Sequence, residues 1–241
     1  MLRLKRYILR LITTVGNKTV LRYLNWKARN SHLPPSRVSV ISELNRRAIV
    51  SSADFVEAKM PQALFFENKP ALWDFAISKR VDGLIMEFGV YTGNSTNHFA
   101  KKIGSSTLYA FDSFEGLDAD WKGAHLPEGA FDLGGKIPSL RSNVTPVKGF
   151  FNDSLPGFLE RTPGKIGFMH IDSDTYEAAS VVLDLTHPRL QSGTVILFDE
   201  YLGYPGWKLN EHKAWVECSQ AHDIAFEYVA FSSKQVMLIV R

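Results

Sequence analysis

The stretch that decides the fold is 87–95, Glu87-Phe88-Gly89-Val90-Tyr91-Thr92-Gly93-Asn94-Ser95, lying between an apolar run at 83–90 and a helical pattern at 94–103. Gly89 and Gly93 allow a sharp strand-to-helix turn and a close approach of backbone to a ligand, and the amides at the helix start can hold a carboxylate or phosphate. Downstream, the runs 107–111, 144–151, 166–171 and 194–198 are short, apolar and separated by helical stretches, the pattern of strands buried on both faces of a parallel sheet. The final runs, 224–231 and 235–240, are joined only by Ser232, Ser233 and Lys234, so they pair as an antiparallel hairpin. Upstream, 36–79 reads as helical, broken at Pro61, with Ala63, Leu64 and Phe65 flanking the break. The expected fold class is α/β: a doubly wound, Rossmann-like sheet of seven mostly parallel strands with an antiparallel C-terminal hairpin and an N-terminal helical extension.

A chain of 241 residues, 45% hydrophobic and 12% aromatic, can build a sizeable core, which excludes disordered and fibrous classes. No window reaches the ~18 uninterrupted apolar residues of a membrane-spanning helix. The single Cys218 permits neither an internal disulfide nor a thiolate zinc cluster, so a reducing, cytoplasmic setting is expected. Cys218 itself, near Trp215, Val216 and Ala221 in a helical stretch, reads as a buried structural thiol. The formal charge of +3 hides an asymmetry: nine of the 28 Lys and Arg precede Glu43, the first acidic residue, leaving 19 basic against 25 acidic residues beyond it. The basicity therefore belongs to an amphipathic arm, 1–35, that ends at Pro34 and Pro35, and the body, 36–241, is acidic. Overall basicity gives no footing for a nucleic-acid partner, and none is expected. The arm suits docking on the body or on a second subunit of a homo-oligomer, peripheral contact with an anionic membrane surface, or an organelle-targeting or nucleic-acid arm.

The strand ends carry the chemistry. Asp112 closes the second strand about twenty residues after the glycine turn, where an acidic side chain binds both hydroxyls of a ribose. With Gly89 and Gly93 it calls for an adenosine-containing ligand, either NAD or S-adenosylmethionine. The turn lacks the third glycine of the dinucleotide fingerprint and offers Glu87, whose carboxylate repels a pyrophosphate and accepts hydrogen bonds from a cationic ligand, which favours the second. Asn94 or Ser95 could instead serve only to cap the helix. His170-Ile171-Asp172-Ser173-Asp174 and Phe198-Asp199-Glu200-Tyr201 close the fourth and fifth strands. Neighbouring strands of such a sheet end side by side, so Asp172, Asp199 and Glu200 should converge and raise one another's pKa unless a hard divalent cation such as Mg2+ sits among them. Asp174 reads as the cap of the helix 175–185, and His170 as a residue packed beside its strand.

In this order EFGVYTGNS, FDSFEGL, VKGFFNDSLP, HIDSDTYEA and ILFDEY resemble the macrocin O-methyltransferase family of sugar O-methyltransferases and, more distantly, the metal-dependent catechol O-methyltransferases, over about Asp82 to Glu217. The resemblance implies that Glu87, Gly89, Gly93 and Ser95 contact the methionine part of S-adenosylmethionine, with Tyr91 and Ser113 beside the site, that Asp112 holds the ribose, and that Phe151 and Asn152 flank the adenine. It implies Asp172, Asp199 and Glu200 as metal ligands, with Asp172 also the base. Two departures stand out: Glu200 replaces the second Asp or Asn of the family, and Thr175 stands where the catechol enzymes have a Lys.

On this reading a cation lowers the pKa of an acceptor hydroxyl while a carboxylate takes its proton. The connection 117–143 holds Trp121, His125 and Pro127 and is long enough to act as a lid or binding loop. Trp121 could stack on a sugar face, His125 could hydrogen-bond it, and Tyr204, Trp207, Lys208 and His212 could line the acceptor pocket. The expected partner is a small-molecule or glycan acceptor. The competing readings are an NAD-dependent oxidoreductase on the same sheet and a non-catalytic ligand-binding domain.

Overall fold

The computed structural model describes residues 39–124 and 126–241. The arm at 1–35, the proposed boundary at Pro34 and Pro35, and His125 all lie outside the described residues. Residues 44–241 form one compact unit, and of residues 1–43 only the start of the first helix is described.

That helix, α1, spans Val40–Lys59 and is followed by strand β1, Leu64–Phe65. Helix α2, Lys69–Ser78, begins where the Asn68 side chain accepts from the Ala71 amide at 3.0 Å, with Pro70 in the first turn. There a proline loses no intrahelical bond. Strand β2, Leu84–Phe88, turns through the glycines into α3, Asn94–Lys102. Strands β3, Leu108–Asp112, and β4, Val144–Lys148, enclose the long connection, and helix α4 is Phe151–Arg161. Strand β5, Ile166–Ile171, leads to α5, Tyr176–Thr186, and strand β6, Val195–Phe198, to α6, Glu211–Ala221. The chain closes with the hairpin β7, Phe226–Ser232, and β8, Gln235–Val240.

The strands form one sheet in the order β1-β7-β8-β6-β5-β2-β3-β4, with β8 antiparallel to both its neighbours and every other pairing parallel. The sheet thus has eight strands, not seven. The extra one, Leu64–Phe65, falls inside the segment expected to be helical and pairs in parallel with Ala230 and Phe231. Two residues carry no periodicity of their own, so only the distant partner reveals the strand.

Strand β5 is buried along its whole length and β2 from Ile85 onward, because helices cover both faces of the sheet. Met86, Phe88, Met169, Ile171, Ile196 and Phe198 meet Leu155 and Phe158 of α4, Val182 and Leu183 of α5, and Trp215 of α6. The alternate positions Ile85, Phe168, Val195 and Leu197 meet Leu72 and Trp73 of α2 and Phe99 of α3. Period-two alternation thus splits each strand between two apolar layers. Among the described residues no helix is long and apolar enough to cross a membrane.

His212, expected at the acceptor pocket, belongs to this packing instead. Its ring stands edge-on to Phe55, Trp207 and Tyr201, and both ring nitrogens are buried without a hydrogen-bond partner. Trp207 is likewise a packing residue, and its indole donates to Ser51 Oγ at 3.0 Å. Burial first, and the Lys208 charge second, lower the His212 pKa from 6.5 to about 4. The fold therefore holds the ring neutral while the unfolded chain protonates it. Its contribution is intact above the unfolded value and lost as pH falls towards the folded one. We predict that His212→Phe narrows the drop in melting temperature between about pH 7 and about pH 5, read by thermal denaturation at both; an unchanged drop would remove His212 as its source.

Candidate active site

From β2 the chain moves to β3 and β4 on one side and returns through β5 to β6 on the other. A crevice opens beyond the strand ends at such a reversal. Here it is a cavity of about 540 Å³, lined by Gly89 and Tyr91 of the glycine turn, Asp112 and Ser113 after β3, Phe151 and Asn152 at the start of α4, Asp172 and Asp174 after β5, and Glu200 after β6. Trp121 and Leu117 of the long connection, with Asp118 and Glu177, form another part of its wall. Its size suits a small-molecule ligand.

Gly89 has φ +96°, and a Cβ there would collide with the carbonyl oxygen of Asp172. The glycine thus lets the β2 and β5 ends lie against each other, an approach held by the Asp172 amide donating to Phe88 at 2.8 Å. Asp112 accepts from the amides of Val90 at 2.7 Å, Tyr91 at 2.8 Å and Phe114 at 2.7 Å. A carboxylate offers about four acceptor sites, so this one is fixed by the turn, with room for one further donor rather than the two of the expected ribose grip.

The acidic residues divide into two groups. Beneath the cavity, His170 is fully buried, with Nδ1 2.9 Å from Glu87 Oε1 and Nε2 3.6 Å from Asp199 Oδ1. Burial opposes its protonation, but the Asp199 and Glu87 carboxylates outweigh burial and raise its pKa to about 10. The imidazolium therefore donates to Glu87 through Nδ1. Asp199 also pairs with the Lys69 ammonium and accepts from the Gln235 amide. Burial alone would raise the Asp199 pKa, yet His170 and Lys69 together hold it far below the usual carboxylate range. Burial likewise disfavours charge on Lys69, and Asp199 and Glu200 overcome it and raise its pKa.

At the cavity wall the balance reverses. Burial first, then the neighbouring Asp199, push Asp172 and Glu200 well above their ordinary range, and burial with Glu211 does the same to Asp174. Oxygens of Asp172, Asp174 and Glu200 lie within 4.8 Å of one another, and Glu200 Oε2 is buried without a partner. An all-oxygen donor set with an orphaned carboxylate oxygen fits a hard divalent cation.

Several expected site residues stand elsewhere. Glu87 does not line the cavity, because strand alternation puts it in the layer of Ile85, against His170. Gly93 is covered by the long connection: a Cβ there would meet Leu140 Cδ2 at 2.7 Å, and Asn97 binds the connection through Ser139 at 3.0 Å and Arg141 at 2.9 Å. Ser95 is buried in α3, whose start is the left-handed Gly93 with no side-chain cap. Asp199 does not line the cavity, although ligand atoms of His170, Asp172 and Asp199 lie within 4.8 Å of one another. Tyr204 is buried, its hydroxyl donating to the Glu200 carbonyl at 3.2 Å. Asp174 is not a cap: Thr175 Oγ1 accepts from the Ala178 amide at 3.2 Å, and Asp174, at φ +63°, turns into the cavity wall.

Two residues were not expected at all. Lys69 is 130 positions from Asp199, and its one local signal is a lysine in the first turn of a helix, where the dipole favours acids. Glu211 is fully buried and accepts from the Ser173 amide at 3.1 Å and the Glu200 amide at 3.0 Å. Burial raises its pKa to about 7. We predict that Gly89→Ala lowers the melting temperature and abolishes ligand binding in the cavity, read by denaturation and calorimetry, because the added methyl must push the β5 end away from β2.

Residues 86–201 match the family model described as "Methyltransferase domain". A curated protein of Streptomyces olivaceus, 8-demethyl-8-(2,3-dimethoxy-alpha-L-rhamnosyl)-tetracenomycin-C 4'-O-methyltransferase, is 26% identical over 143 residues, 50% of this chain and 54% of that protein. The match thus spans about half the length of that relative. Among solved structures, the calicheamicin methyltransferase CalS11 superposes with TM-score 0.56 at 20% identity, over 84% of this chain and 94% of that one. The O-methyltransferase NovP gives 0.54 at 20% identity, over 70% of this chain and 78% of that one. At that identity the likeness is one of fold. The family match, though, runs from within β2 to just past Glu200 and takes in the glycine turn, Asp112 and the acids after β5 and β6, so the part of the chain that forms the cavity is the part that is similar to a methyltransferase domain.

Proposed function

We propose that the protein is an S-adenosylmethionine-dependent O-methyltransferase whose acceptor is a hydroxyl of a sugar, a glycolipid or a small natural product, acting with Mg2+ or a similar divalent cation. One observation carries the reading: the glycine turn and Asp112 share a single cavity with Asp172, Asp174 and Glu200. An oxidoreductase would use the first group and have no need of the second. The acceptor class is supported by the tetracenomycin-sugar relative and by the wall of Trp121, Asp118 and Glu177, an aromatic face beside carboxylates that can accept from hydroxyls.

When bound, S-adenosylmethionine supplies the methyl group and the cation lowers the pKa of the acceptor hydroxyl, so that a carbon–oxygen bond forms as the carbon–sulfur bond breaks. Asp112 holds a ribose hydroxyl through its remaining acceptor site. Phe151 and Asn152 border the adenine side, and Tyr91 and Ser113 border the turn. Asp172 and Glu200 would hold the cation, and Asp199, paired with the Lys69 ammonium, would stand beside Asp172. The acceptor proton passes to the Asp172 carboxylate, with Asp174 beside it, and the raised affinity of both for protons suits a base. The excess of positive charge before Glu43 keeps the arm, by this reading, as the segment that meets a second subunit or an anionic membrane surface in the cytoplasm.

The test is methyl transfer to a panel of glycosides with Mg2+ present or chelated. Asp172→Asn and Glu200→Gln should each lower turnover by about 100-fold or more while S-adenosylmethionine binding, read by calorimetry, changes little. Turnover indifferent both to chelation and to the two variants would overturn the metal assignment, and binding of NAD in place of S-adenosylmethionine would overturn the whole reading.

A further inference from the structure

Helix α5 follows Asp174 of the cavity wall and lines the cavity with Glu177, Ala178 and Val181, and α6 begins at Glu211, which holds the Ser173 and Glu200 amides. An eleven-residue helix is about 16 Å long, so their far ends form a separate locality. There α5 passes into a 3-10 turn, His187–Arg189, and α6 ends at His222, its C-cap. Ligand atoms of His187, Cys218 and His222 lie within 4.8 Å of one another.

Each member is prepared in its own way. His187 Nδ1 lies 2.9 Å from the Asp184 carbonyl. A carbonyl can only accept, so Nδ1 donates and Nε2 is the nitrogen left to face a ligand, the arrangement in which the outer hydrogen bond of a metal-bound histidine orients its ring. The His187 and His222 rings are stacked, with centroids 3.5 Å apart and planes at 15°. Cys218 is buried at the base of the pair, where burial, and then the charge of Asp184, raise its thiol to about 11. It is therefore an inert thiol until a metal displaces its proton to solvent.

We propose that His187, Cys218 and His222 form a second metal site, distinct from the carboxylate cluster, that takes a thiophilic divalent ion of the zinc class. One sulfur and two imidazole nitrogens match such an ion and are a poor match for Mg2+. With bonds of about 2.0–2.3 Å, ligand atoms around a tetrahedral zinc stand roughly 3.5 Å apart. Closing the cluster therefore needs a shift on the order of 1 Å, which a ring rotation of His222, exposed at a helix end, would supply. The fourth position falls to water or to the Asp184 carboxylate. Occupied, the site ties the far end of α5 to that of α6, the two helices whose near ends carry Thr175 and Glu211.

The experiment is a Co2+ titration of the full chain with excess Mg2+ present to fill hard oxygen sites. We expect a thiolate-to-cobalt charge-transfer band that saturates at one equivalent, is bleached by Zn2+ and is absent from Cys218→Ser. Because Cys218 is buried and its variant could misfold, His222→Ala at an exposed position provides the second arm: cobalt affinity should fall by more than about ten-fold with no change in melting temperature of the metal-free protein. Asp172→Asn should leave the band intact. No charge-transfer band in folded protein, a band indifferent to both His187→Ala and His222→Ala, or a band abolished by Asp172→Asn would each overturn the proposal.

Discussion

A buried imidazolium joins three neighbouring strands at the cavity end of the sheet. Glu87 on β2 lies opposite His170 on β5 in the strand register, and Asp199 follows the end of β6, so one charged ring stands between two carboxylates that would otherwise be uncompensated anions in the interior. Removing one partner from such an arrangement costs far more than the arrangement itself contributes. With Lys69 added, the four groups balance: Glu87 and Asp199 against His170 and Lys69. What is left over at the cavity wall is Asp172, Asp174 and Glu200, all displaced towards the protonated form. The division into a neutralised layer below and an unneutralised layer above turns a crowd of acids into a directional site, with its unmet demand for positive charge facing the cavity.

The strands were legible because each is a short apolar run between breakers, and burial on both faces leaves such a run no polar positions to confuse its limits. Leu64–Phe65 escaped because its existence depends on β7, more than half the chain away. The strand-end acids were legible from the parallel topology, which gathers the ends of sequential strands. Which acid faces the cavity was less so. Glu87 shares a face with Ile85, two positions earlier, and that alternation was available in the sequence to place it on the α2 side. Asp174 and Thr175 were exchanged because both can cap a helix, and only the left-handed backbone at Asp174 decides between them. Lys69 and Glu211 offered almost nothing to a sequence reading. Each acts through a contact between distant segments, and a lone Lys or Glu at a helix start is indistinguishable from a surface residue until the chain is folded.

Glu211 shows how such a residue sets geometry without touching the cavity. Its two oxygens accept from the amides of Ser173 and Glu200, one on each of the loops that follow β5 and β6. Ser173 lies between Asp172 and Asp174, and Glu200 follows Asp199, so one carboxylate fixes the separation of both acidic pairs. A carboxylate is suited to this and an amide is not, because two backbone donors converge on it and a side-chain amide would bring a donor of its own against one of them. Burial opposes the charge, and the Glu200 and Ser173 amides that donate to it favour the charge, which accounts for a pKa raised only to about 7 in a fully buried acid with acidic neighbours. The spacing of the cavity carboxylates is therefore set from behind, by α6, and the same helix at its other end carries Cys218 and His222.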